Sequence, residues 1–185
     1  MSEQDWRLER LSRNLALDRT RFDCGDEVQN NWFHEIAGQA ERKSVARTYL
    51  ALDSESRILG FYTLTGRSLS SGYPGSGTSP RNYSVLYVEL ARLAIALDFQ
   101  SQGLGRLLVA DSFAKALEID LVIGVAGLLV KPANEALVAY YEALGLRRLG
   151  ASGGYLAISC KRIRSALPLY IRSTYTGDIN DSTDF

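Results

Sequence analysis

Two groups of residues in this chain have the types and spacing to do chemistry. The first is Gln100-Ser-Gln-Gly-Leu-Gly-Arg106. Gly103 and Gly105 carry no side chain to block a ligand, and the amides from Gln102 to Gly105 fall where a turn feeds a helix. Such amides, with the helix dipole behind them, suit an anion of the pyrophosphate type. Two glycines before a helix also serve as a plain steric device, so the turn alone leaves both roles open. The second group is Asn134 and Tyr141, seven residues apart. Seven residues is close to two helical turns, so the two share a face if the segment is helical. A phenol on that face, near the end of a buried strand pair, could protonate a leaving group. The alternative for Tyr140 and Tyr141 is that they are ordinary core or surface aromatics.

The elements that must position these residues are legible in outline. Tyr83 to Leu97 is an apolar run with Val85, Tyr87, Val88 and Ile95, which predicts a central strand leading into the glycine turn. Leu107 to Ile119 predicts the helix that follows. Ile123 to Val130 holds another buried strand at Gly127–Val130, and Asn134 to Leu144 a helix stopped by Gly145. Leu146–Leu149 and Tyr155–Cys160 pair around Ser152-Gly153-Gly154. Upstream, Trp6 to Ser12 reads as a first strand. Asp23 or Asp26 can cap a helix over Glu27–Ala40, whose Val28, Trp32, Ile36 and Ala40 make one buried stripe. Arg47–Leu52 and Ile58–Leu64 form a hairpin around Asp53-Ser54-Glu55-Ser56. Arg67 to Asn82, rich in Gly, Ser and Pro, reads as a long loop. The order gives an α+β fold with a mostly antiparallel sheet and one parallel crossover. Residues 1–165 are expected as a single domain, and 166–185 as a C-terminal extension frayed at its end.

Composition narrows the classes. The chain has 185 residues, 46% hydrophobic and 23% charged, with 21 Lys plus Arg against 21 Asp plus Glu. That is a one-domain globule able to bury a core without staples. A zero net charge argues against coating nucleic acid through an overall positive field, but not against a local basic patch. The total hides a division. Arg42-Lys43-Arg47, Arg147-Arg148 and Lys161-Arg162-Arg164 cluster in the body, while Asp178, Asp181 and Asp184 sit in the tail. Two distant cysteines, Cys24 and Cys160, and one histidine, His34, argue against a zinc site and against a disulfide framework. The N-terminus lacks an apolar run of signal-peptide length, and no stretch approaches the roughly 20 apolar residues of a bilayer span. A cytoplasmic location is the default.

Together, the turn at 100–106 and the segment Asn134-Glu-Ala-Leu-Val-Ala-Tyr-Tyr-Glu-Ala-Leu-Gly-Leu146 resemble the GNAT superfamily of acyl-coenzyme A N-acyltransferases, over roughly residues 45 to 160. The resemblance implies the GNAT fold, with central strands splayed to bind acetyl-coenzyme A as co-substrate and no metal. It implies that Gln100, Ser101, Gln102, Gly103, Leu104, Gly105 and Arg106 hold the pyrophosphate. A bulge at about Leu93, Ala94 and Ile95 would offer backbone groups to the pantetheine arm. Asn134 would contribute to the coenzyme site, and Tyr141 would be the general acid for the thiolate. Leu146 stands where phenylalanine is commoner, a change of packing. Phe22-Asp-Cys-Gly-Asp26, Asn31-Trp-Phe33, Ala46-Arg-Thr-Tyr49, Gly60-Phe-Tyr-Thr-Leu64 and Ala91-Arg-Leu-Ala-Ile95 are similar to the GNAT toxins of bacterial toxin–antitoxin pairs. Those enzymes acetylate the α-amine of the amino acid on charged tRNA. The partners so implied are acetyl-coenzyme A, charged tRNA, a cognate antitoxin and a second copy in a homodimer, with no membrane.

Acyl transfer to an amine needs a neutral amine, a donor for the carbonyl oxygen and a proton for the departing thiolate. A backbone amide near Leu93–Ile95 is the candidate donor. Glu89 is a candidate base acting through water, or else a structural carboxylate paired with an arginine such as Arg92. Arg92 points to the acceptor or into such a pair. His34 is set aside, and Cys24 is expected to be buried structure. Two other functions stay open: acetylation of a small amine or protein N-terminus, and a coenzyme-binding sensor without turnover.

Overall fold

A computed structural model of the chain describes residues 6–12, 17–70, 84–150 and 154–166. Among the described residues seven strands form one sheet in the order β1-β2-β3-β4-β5-β7-β6. They are β1 (Trp6–Arg10), β2 (Arg47–Asp53), β3 (Ile58–Ser70), β4 (Ser84–Ile95), β5 (Gly127–Val130), β6 (Arg147–Arg148) and β7 (Leu156–Ser159). Every pairing is antiparallel except β4 with β5. That parallel pair is bridged by α3 (Leu104–Val122), the crossover that parallel neighbours require. α4 (Glu135–Ala143) and α5 (Cys160–Ala166) complete that part of the chain. β3 runs longer than the sequence pattern suggests, since Arg67–Ser70 belongs to it, whereas β4 falls within the expected Tyr83–Leu97 and stops at Ile95. The remaining loop residues, the turn at 151–153 and the C-terminal extension from 167 lie outside the described residues.

Alternation along β3 sorts the core. Tyr62 and Leu64 pack with α3 in the main cluster, beside Leu90, Leu104, Leu108, Leu128 and Val130. Phe61 faces the opposite side, where it stacks on Phe33 at 4.2 Å. Leu69, further along that side, joins Tyr87 and Leu149. Both faces of the sheet are therefore covered.

The segment after Asp26 departs from the expected stripe. Asp26 caps it, accepting from the amides of Val28 and Gln29. It then runs as α1 (Glu27–Asn31), a π-helical turn (Trp32–Ile36) and α2 (Ala37–Arg42). The Ala37 amide reaches back to the Trp32 carbonyl, one residue further than in an α-helix. That extra residue shifts the phase. Phe33, Ala37 and Ala40 are buried, whereas Val28 and Ile36 are exposed. The four-residue spacing predicted a stripe that holds only for an uninterrupted α-helix.

Candidate active site

The site is built where β4 leaves β5. The parallel pairing covers Val88–Leu90 against Leu128–Val130 and stops there, while β4 stays paired with β3 through Ile95. Ala91 has no partner in the register, since Thr63 pairs with Arg92 and Leu64 with Leu90. The bulge is thus at Ala91, two residues before the expected position, and the opened edge lies beyond it. An extra residue in one strand bends it and resets which way its side chains point. The Ala96 amide donates to the Leu59 carbonyl at 2.9 Å. By alternation Ala94 engages β3, and Leu93 and Ile95 turn their amides toward the opened gap.

The glycine turn closes one end of that gap. A 3-10 turn (Leu97–Phe99) leads to Ser101 at φ 60 and Gly103 at φ 88. The left-handed backbone at Gly103 is where glycine costs least. α3 begins at Leu104, three residues earlier than the sequence pattern predicts, so the turn abuts the helix start directly. No side chain among the described residues caps this end. The helix's first amides are free for an anion, and a Cβ on Gly103 would meet nothing within 4 Å. The side chains of this turn brace it. Gln100 Nε2 donates to the carbonyls of Cys24 (2.9 Å) and Ile95 (3.0 Å), and Gln102 Nε2 to Asp98 (2.7 Å). The Phe22–Asp26 segment is thereby tied to the turn. Asn30, which the sequence reading passed over, locks that segment: it accepts from the Cys24 amide and donates to Asp23. Cys24 is half-buried, and burial raises its thiol pKa. The exposed Arg106 lies on the first turn of α3.

α4 closes the other side. Asn134 is its N-cap, outside the helix, and its side chain accepts from the Leu137 amide at 2.9 Å. Asn134 and Tyr141 therefore do not share a helical face in the simple sense, because the first lies in extended backbone. Tyr141 is 5% exposed, in the main core with Leu90, Leu104 and Val130. Burial, with Tyr140 beside it, raises its phenol well above the ordinary range and keeps it protonated. Tyr140 packs edge-on against it at 5.2 Å, and its hydroxyl lies 3.4 Å from where a Cβ on Gly105 would stand. Tyr140 thus links α4 to the start of α3, a contact no spacing rule reveals.

Glu89 and Arg92 come to one face, the one lined by β3's odd-numbered residues, because the bulge intervenes between them. They do not pair. Glu89 is buried and takes Arg67 Nε at 2.6 Å and Thr65 Oγ1 at 3.2 Å. Its arginine is Arg67, not Arg92, since β3 sets Thr65 opposite Glu89 with Arg67 one step on along the same face. Arg92 reaches α1 instead. Its Nη1 donates to Gln29 Oε1 at 3.0 Å, and its guanidinium stands 4.7 Å from the Trp32 ring. Burial lowers its pKa. Among the described residues, no group of three or more His, Cys, Asp or Glu could hold a metal ion, and no helix is long and apolar enough to cross a membrane.

An uncapped glycine turn beside a strand edge opened beyond its bulge suits a phosphate-bearing acyl carrier. The description "Acetyltransferase (GNAT) family" belongs to a family model that matches residues 11–146. The chain belongs to that family, and it is an acyl-coenzyme A-dependent N-acetyltransferase with acetyl-coenzyme A as its co-substrate. It is similar to a tRNA-acetylating toxin of Mycobacterium tuberculosis (strain ATCC 25618 / H37Rv), 25% identical over 127 residues, 68% of this chain and 76% of the relative. It also resembles the solved structure of AtaT complexed with acetyl-methionyl-tRNAfMet. There the TM-score is 0.81 at 29% identity, covering 87% of this chain and 98% of that one. AtaTR bound with AcCoA matches with a TM-score of 0.78 at 29% identity, covering 88% and 98%.

Proposed function

We propose that this enzyme acetylates the α-amine of the amino acid carried by charged tRNA, by direct attack of the amine, with Tyr141 as general acid. The observation that carries the chemistry is the opened edge of β4 between the uncapped turn at Gly103 and the helix bearing Tyr141. The similarity to a tRNA-acetylating toxin, and to AtaT complexed with acetyl-methionyl-tRNAfMet, supports the acceptor.

Acetyl-coenzyme A supplies the acetyl group as a thioester, whose carbon–sulfur bond breaks as the carbon–nitrogen bond forms. The amides at the start of α3 bind phosphate, with Gln100 and Gln102 holding the turn in shape. Leu93 and Ile95 present amides to the gap, and one of them donates to the carbonyl oxygen as negative charge develops there. Tyr141 gives its proton to the departing sulfur, the proton that the amine nitrogen sheds as the amide forms passes to solvent, and solvent reprotonates the phenolate. Arg92, held by Gln29 and Trp32, faces the acceptor. Glu89 is spent on Arg67 and Thr65. An α-amine beside an ester is weakly basic, so it is neutral without a dedicated base. Charged tRNA, a cognate antitoxin and a second copy of the chain are the partners this reading assigns, and the cytoplasm is its location.

The test is an acetyl-transfer assay against total aminoacyl-tRNA, beside a panel of small amines and peptides. Acetylated aminoacyl-tRNA is expected. Transfer only to small amines or peptides overturns the acceptor, and binding of acetyl-coenzyme A without transfer to any of them overturns turnover itself.

A further inference from the structure

We propose that Arg19 and Arg42, brought together over Gly38, form a phosphate site that grips a backbone phosphodiester of the RNA acceptor. Arg19 opens the 3-10 turn Arg19–Arg21, Arg42 ends α2, and Gly38 lies between them on α2's surface. A Cβ on Gly38 would stand 3.2 and 3.4 Å from the two Nη atoms of Arg19 and 3.4 Å from Nη1 of Arg42. Both guanidiniums therefore crowd one point of the helix, in space that a side chain at 38 would contest.

Arg19 is fixed in place. Its Nη1 donates to the Phe33 carbonyl at 2.8 Å, and its guanidinium stands 5.9 Å from the Phe33 ring. Burial and the neighbouring Arg42 charge both loosen its proton, with Glu35 as the opposing influence. Among the described residues neither arginine forms an ion pair. Of the nearby carboxylates, Glu41 is engaged with Arg10 and Arg47 and Asp18 with Arg21, while Glu35 acts on Arg19 without forming an ion pair among the described residues. Two like charges held side by side repel unless an anion bridges them. A phosphodiester supplies one negative charge and oxygens that match guanidinium forks.

The position fits the same acceptor. The helical segment that carries Gly38 also carries Gln29 and Trp32, which hold Arg92. Gly38 lies nine positions beyond Gln29, about 13 Å along a helix at 1.5 Å per residue. The aminoacyl end at Arg92 and a phosphate at Arg19–Arg42 would thus be gripped by one rigid element. This inference rests on charged tRNA being the acceptor.

Arg42→Gln tests it, since Arg42 is exposed and outside any described ion pair; Arg42→Lys restores the charge. Acetylation is measured on charged tRNA and on an aminoacyl-nucleoside that has no phosphodiester. Binding of charged tRNA is measured across a KCl series. The expected result for Arg42→Gln is a roughly tenfold higher KM for charged tRNA, with a salt slope shallower by about 0.7–0.9 for one lost phosphate contact. Turnover on the aminoacyl-nucleoside should match the wild type, and Arg42→Lys should recover part of the loss. An unchanged KM and slope, or an equal loss on both acceptors, overturns the phosphate site while leaving the tRNA reading intact. Wild-type protein that acetylates no charged tRNA overturns both.

Discussion

Tyr140 and Tyr141 are neighbours in sequence with different surroundings. Tyr140 is half-buried and reaches the start of α3, whereas Tyr141 is sealed in the core with its phenol protonated. A group in that state can donate to a departing sulfur but cannot serve as a base. Tyr141→Phe should therefore lower kcat by about 100-fold or more, with little change in coenzyme affinity. Steady-state rates beside calorimetric titration check this, and unchanged turnover removes Tyr141 from the mechanism. Cys160 gives a pH prediction. Burial first, then the Asp120 carboxylate, pushes its thiol from 9.0 up to about 11. A group raised on folding stabilises the fold below its unfolded value and loses that contribution as pH rises through the folded one. Tm should thus fall between pH 9 and 11, and Cys160→Ala should flatten part of the decline. A thiol reagent at pH 8 should label Cys160 only slowly in the folded protein.

At the scale of elements, β5 is the narrowest join. It has four residues, all buried, pairing with β4 on one side and β7 on the other. Its first residue, Gly127, has φ 155, and a Cβ there would stand 1.9 Å from the Ile158 carbonyl oxygen. Gly127→Ala must push β7 away from β5, and with it the platform beneath α4. A loss of about 3 kcal/mol or more is expected, in the range reserved for backbone conflict in a core. Urea unfolding monitored by circular dichroism reads it, and a midpoint within error of wild type would show that β7 moves freely. The π turn is the second junction. It delivers Trp32 to Arg92 while rotating Phe33, Ala37 and Ala40 inward, so one irregular turn serves both the Arg92 contact and the core.

For the whole molecule, equal charge totals conceal unequal placement. Arg148 pairs with Glu135 and Glu142, Arg164 with Asp120, and Arg47 with Glu41. Three of the eight basic residues in the clusters seen along the chain are thus neutralised within the fold. Arg42, Lys43 and Arg106 enter no ion pair among the described residues, and they flank the elements that frame the site. Ligand binding should also register globally, because anything bound only by the folded state stabilises it by mass action. Acetyl-coenzyme A at 100 times its Kd should add about 2.7 kcal/mol, a rise in Tm of about 5–10 °C for a domain of this size. Differential scanning fluorimetry measures it. Gly103→Val should abolish most of that rise, because a β-branched residue at φ 88 distorts the turn. A full rise in that variant would show that the turn is not the anchor.

What could be read from the chain alone was local. The glycine turn and its helix, the Asp53–Ser56 hairpin, a cap at Asp23 or Asp26, and the helix stop at Gly145 depend on residues close in sequence. Backbone preference and short-range hydrogen bonding decide such features before the chain is packed. Tertiary structure decided what depends on register. The bulge at Ala91 brings Glu89 and Arg92 to one face, the β3 pairing hands Glu89 to Arg67, and the π turn changes which residues of the first helical segment are buried. Asn134 became a cap because its backbone is extended, and Arg19 met Arg42 because the turn before α1 folds back across α2. Each of these joins residues distant in sequence or rests on a one-residue shift. Such shifts leave composition and periodicity almost unchanged, and only the packed molecule selects among them.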